Sequence, residues 1–79
     1  MANEQTVYLS PKGDFKVVIC NGIFGVSMYV VEKFEYGMWT SQFQGENPIE
    51  CMRYLCRMKV VTVFELQAET LRIKKMNLH

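Results

Sequence analysis

The stretch VVTVFELQAETLRIKK, Val60 to Lys75, decides the architecture, because it settles whether the chain returns to a sheet after its clearest helix. Val60 to Leu66 is β-branched and apolar and reads as a strand. Residues 67–79 read two ways. Their composition suits a helix, yet Leu71 and Ile73 alternate with Thr70, Arg72 and Lys74 as in a strand. The alternation is given precedence, so one or two further strands are expected here, with a helix as the alternative for 67–79.

Immediately upstream, GENPIECMRYLCRMK (Gly45 to Lys59) carries helix-initiation signals. Asn47 suits the N-cap, Pro48 the first helical position, and Glu50 can close a capping box. Ile49, Met52, Leu55 and Cys56 form the stripe expected to lie on a sheet. Glu50, Arg53 and Arg57 form the wet stripe, with Cys51, Tyr54 and Met58 on the flank.

Further upstream the chain reads as a four-strand antiparallel meander. Pro11-Lys12-Gly13 suits a three-residue loop, pairing Ser10 with Asp14, Leu9 with Phe15 and Val7 with Val17. Asn21-Gly22 signals a two-residue hairpin, pairing Cys20 with Ile23 and Val17 with Val26. Tyr36-Gly37 as a two-residue loop pairs Phe34 with Trp39 and Val30 with Phe43. That register puts all four residues on the helix-covered face. The opposite face is then mixed, with an apolar strip that includes Val18, Ile23, Tyr29, Val31 and Met38. The fold class expected is α+β: a mainly antiparallel four-strand meander, one helix packed on one face, then one or two further strands.

Length and composition fit one compact domain, residues 1–79. The residues are 49% hydrophobic, which separates the chain from disordered sequences. The formal net charge of +1 supplies no field to recruit a polyanion. No apolar run approaches the roughly 20 residues that span a bilayer, so no membrane partner is expected. The polar opening MANEQTVYLSPKGD and an odd set of cysteines (Cys20, Cys51 and Cys56) point to a cytoplasmic protein with reduced thiols.

Catalytic signals are sparse. The single histidine, His79, is the last residue given. The cysteines lack metal-ligand spacing, and the glycines of NGIFG serve a hairpin rather than a phosphate loop. Glu32, opposite Ser41, is the one acid that reaches the core side. No catalysis, cofactor or metal is expected. For nucleic acid, the candidates are Tyr29 flanked by Lys16 and Lys33, and Arg72, Lys74 and Lys75 in the tail. Protein binding fits better. Arg53, Tyr54, Arg57 and Met58 lie together on the helix, and Tyr29, Val31 and Met38 lie on the outer strip. Tyr, Met and Arg are the types enriched in interface cores.

In size and layout, with hairpins at PKG, NG and YG followed by NPIECMRYLCRMK, the chain resembles small phage-encoded inhibitors of the anti-CRISPR type. Many of these combine a twisted antiparallel sheet with one or two helices. The resemblance implies a non-catalytic protein acting in the host cytoplasm, which docks on and blocks a larger host protein or nucleoprotein complex. Direct nucleic-acid binding and a self-associating module, such as a homodimer, rank below it.

Overall fold

The computed structural model describes residues 4–21 and 27–76. The elements run β1 (Glu4–Leu9), β2 (Phe15–Asn21), β3 (Ser27–Glu35), β4 (Met38–Gly45), α1 (Pro48–Arg57) and α2 (Val63–Met76). The strands form an antiparallel sheet in the order β1-β2-β3-β4, and α1 packs on one face of it. The fold is α+β, with a four-strand meander followed by two helices. No helix among the described residues is long and apolar enough to cross a membrane.

The turns set which residues share a face. At the first, the Gly13 N–H donates to the Ser10 carbonyl at 2.9 Å, and Gly13 has φ 75°. The Phe15 N–H donates to Ser10 Oγ, which itself donates to Asp14, both at 3.1 Å. These bonds close the loop one residue later than expected. Leu9 therefore pairs with Lys16 and Tyr8 with Val17, and a bulge at Val7 returns Thr6 to Val18.

The second hairpin departs further from expectation. Its last pair is Asn21 with Ser27, so Cys20 faces Met28 and not Ile23. Residues 22–26, on which most of the expected Asn21-Gly22 turn falls, lie outside the described residues. Val17 faces Val31, five positions beyond the expected Val26. An odd shift exchanges the faces of β3. It also sets the dipeptide Val17-Val18 against Val30-Val31, so a valine pair lies at the sheet centre on each side.

The third turn is as expected: Tyr36 and Gly37 have φ 54° and 79°, the pattern of a type I′ hairpin, and Phe34 pairs with Trp39. Glu32 faces Ser41, but Val31 faces Phe43, leaving Gln42 as an extra residue. Phe43 thus joins Val31 beneath the helices. Phe34 and Trp39 lie on the open face, where Trp39 is half-buried rather than enclosed.

For α1 the cap signals hold. The Glu50 N–H donates to Asn47 Oδ1 at 3.0 Å, and Asn47 Nδ2 donates to the Glu50 carboxylate at 3.2 Å. Cys51, Met52 and Leu55 are buried, and they join Phe15, Val17, Val31 and Val61 in the core. Cys51, expected on the flank, is enclosed, whereas Cys56 is half-buried. Tyr54 is half-buried with its ring stacked on Phe43. The helix ends in a Schellman-type closure: Lys59 N–H to Cys56 carbonyl at 3.0 Å and Val60 N–H to Leu55 carbonyl at 2.9 Å, with Lys59 at φ 63°.

The expected fifth and sixth strands are replaced by α2. Thr62 caps α2: the Glu65 N–H donates to Thr62 Oγ1 at 3.1 Å, and that hydroxyl donates to the Glu65 carboxylate at 3.4 Å. A strand would place Leu71 and Ile73 on one face. On the helix they part, Ile73 being 8% exposed and Leu71 61%.

Candidate protein-docking site

Arg53 and Arg57 sit one turn apart on α1, their Cβ atoms about 5–6 Å from each other by helix geometry. Both are exposed. Among the described residues neither makes an ion pair or a side-chain hydrogen bond. Three other cations are committed, Lys16 to Glu4 and Glu32, Lys33 to Glu35, and Arg72 to Glu69 at 2.6 Å, whereas Lys12, Lys59, Lys74 and Lys75 make no ion pair among the described residues.

The two arginines border a groove between the helices. Phe43, Glu50, Arg53, Cys56, Arg57 and Leu66 surround a volume of about 560 Å³. Arg53 and Leu66 are shared with an adjoining hollow of about 380 Å³ that extends to Gln67, Thr70 and Leu71. Met58 caps α1 and is exposed. Tyr54 is half-buried, its ring stacked on Phe43 at 4.9 Å and 13°. Of the four helix residues expected at an interface, three are free to touch a partner, and the fourth braces the groove's floor.

The wall contributed by α2 was not anticipated. It consists of Leu66 and Leu71, with Phe64 on the same stripe as Gln67 and Leu71 at helical spacing. Phe64 is 83% exposed. The signal that would have found this wall is the Thr62-x-x-Glu65 cap, which converts the apparent strand into a helix.

The outer strip expected at Tyr29, Val31 and Met38 does not form. Val31 is 0% exposed in the core, because the odd register shift turned it inward. Tyr29 moves with it, pairing with Ile19 and Gly45 and packing against the core. Met38 is exposed, opposite Glu35 beside the third turn. The expected flanking of Tyr29 by Lys16 fails for the same reason, and Lys33, still on the face of Tyr29, is engaged elsewhere. Lys16 lies on the open face, and Lys33 reaches the Phe15 ring.

The open face carries a different cluster. Lys16 Nζ lies 3.9 Å from Glu4, 3.7 Å from Glu32 Oε1, and 4.3 Å from the centre of the Trp39 ring. Glu32 Oε1 is out of reach of solvent and makes no hydrogen bond among the described residues. Burial pushes the Glu32 carboxyl above its ordinary range, and the neighbouring Glu4 carboxyl adds to this, while Lys16 pulls the other way.

No described group of His, Cys, Asp or Glu is arranged to hold a metal ion. The Cys51 thiol is pushed up to about 11 by burial and then by Glu50, and burial also raises Cys20, with help from Glu4 and Glu32. At neutral pH both are thiols rather than nucleophilic thiolates. Tyr8 is raised to about 12 by burial and by Glu65, to which its hydroxyl donates at 3.3 Å.

The fold and groove therefore define a two-layer α+β domain with a bordered helical surface. No family model, curated protein or solved structure matches the chain.

Proposed function

We propose that the protein is a non-catalytic binding module that docks on a larger protein through the groove between α1 and α2, with Arg53 and Arg57 on one side, Leu66 and Leu71 on the other, and the exposed Met58 at the end of α1. One observation carries this reading: two exposed arginines without ion-pair partners among the described residues stand beside an apolar floor. Arginine is suited to that setting, since its planar fork takes a carboxylate with two parallel hydrogen bonds. Such a module acts by occlusion. Its layout, like that of small phage-encoded inhibitors, suits blocking a host defence protein or nucleoprotein complex.

The test is capture of the partner from nuclease-treated host lysate by the parent and by Arg53→Glu/Arg57→Glu. The variant should fold as the parent does, because exposed charges contribute little to stability. Its capture should weaken by about 1 kcal/mol or more, roughly fivefold, as for interface anchors. Equal capture by the two proteins would refute the docking role, and loss of capture by the parent after nuclease would point to nucleic acid instead.

A further inference from the structure

We infer that the partner segment seated in this groove is an acidic amphipathic helix. The inference rests on the docking reading above and adds the chemistry of the occupant. The groove runs between two helices, a form that accepts a third helix by its apolar face. Its α2 wall presents Leu66, Gln67, Thr70 and Leu71, and Phe64 and Lys74 extend the Gln67-Leu71 stripe at helical spacing beyond either end of that lining. From Phe64 to Lys74 this stripe extends about 15 Å, or nearly three turns. Arg53 and Arg57 stand across from it on α1. The charged groups that line the groove are two cations, Arg53 and Arg57, against one acid, Glu50, and Lys74 lies beyond Leu71 along α2.

An occupant matching these features places leucine-like side chains against Leu66 and Leu71. Its carboxylates, one turn apart on the flank, meet the arginines. The apolar lining favours such a helix over a phosphate backbone, which gains nothing from Phe43, Leu66 and Leu71. Binding of this kind is salt-sensitive, since the charges lie at the solvent boundary.

The test uses the full chain and three capped synthetic peptides of about 14 residues, or ~21 Å as a helix. The first carries Leu at i, i+4 and i+7 flanked by Glu. The second has Lys in place of Glu, and the third Ser in place of Leu. Binding is read by anisotropy and by amide-shift mapping. The first peptide should bind and shift the resonances of Arg53, Arg57, Leu66, Leu71 and Lys74, while the other two should bind at least about tenfold more weakly, the span of one buried charge contact or anchor. Leu71→Glu, at an exposed site, should remove the shifts while leaving the remaining spectrum intact.

Equal binding of the acidic and basic peptides, or a shift map on the open sheet face, would overturn the inference. Displacement of the acidic peptide by a single-stranded oligonucleotide would do so in favour of a phosphate ligand. Concentration-dependent dimerisation that protects Phe64 and Leu71 would do so in favour of a second copy. If no peptide binds but Arg53→Glu/Arg57→Glu still weakens partner capture, the helical acidic occupant falls and the docking reading stands. If the double variant captures normally, the docking reading itself falls.

Discussion

On the helix side of the sheet Val17 faces Val31, and one residue along, on the open side, Val18 faces Val30. All four are buried. On the helix side the surroundings are apolar: Phe15, Met52, Leu55 and Val61 complete the cluster. On the open side the neighbours in register include Lys16 and Glu32, with Trp39 under the Lys16 ammonium. One face is closed by packing that gains from every methylene removed from water. The other is ringed by long charged side chains, whose aliphatic stems cover apolar surface but whose charged ends cost free energy to desolvate. Substitutions should therefore act differently on the two sides, through cavity volume on one and charge balance on the other.

The sharpest contrast comes from Leu55→Ala. Leu55 is fully buried between α1 and the sheet, so truncation should cost about 2–5 kcal/mol. For a domain of this size that is a large part of the total stability. Urea denaturation should show a much lower midpoint. A loss below about 1 kcal/mol would mean that the helical layer contributes little and that the faces are alike.

On the open face the corresponding change is Lys16→Met. It keeps most of the stem and removes the ammonium that lies between Glu4, Glu32 and the Trp39 ring. The two carboxylates are left facing each other, one with a desolvated oxygen. Leaving a buried polar group without its partner costs about 1–3 kcal/mol. The loss should be largest near neutral pH and shrink in acid, where protonation removes the repulsion. A pH-independent loss would assign the effect to packing and erase the distinction between the faces.

What could be read in advance follows the range of the physics involved. The start of α1 and the Tyr36-Gly37 turn are set by residues within four positions of each other, and both agree with expectation. Asn21-Gly22 is an equally local signal, but the register of β2 against β3 follows the match of Val17-Val18 to Val30-Val31 across the sheet. The bulges at Val7 and Gln42 leave no local signature, yet the second one moved Phe43 into the core. In α2 the capping residues Thr62 and Glu65 lie inside a β-branched run, and the strand reading followed that run without taking the cap into account. The candidate site divides along the same line. Arg53, Arg57 and Met58 are legible from the periodicity of α1, whereas Leu66 and Leu71 become a wall only once α2 is a helix. Tyr29 and Val31 were lost to the core with the register.

The smallest expected effect is Glu32→Gln, and its sign discriminates most finely between the two faces. Glu32 has a folded-state pKa above its ordinary 4.5. The folded protein therefore holds this proton more tightly than the unfolded chain does. The stabilisation from holding it is fully present below the ordinary carboxylate range and is lost as pH rises through the folded value. At pH 7 the parent thus carries an ionised carboxylate that folding has partly desolvated beside Glu4. Gln keeps the shape and removes that charge, so the variant should be more stable at neutral pH by about 0.5 kcal/mol, in the range of single partly exposed charges. Near pH 3 the parent's Glu32 is protonated as well, and the advantage should vanish. Paired urea titrations at the two pH values check this. If Glu32→Gln is instead destabilising at pH 7, the attraction to Lys16 exceeds the cost of burial. The open face would then be held together by its charges, as the helix face is by its packing.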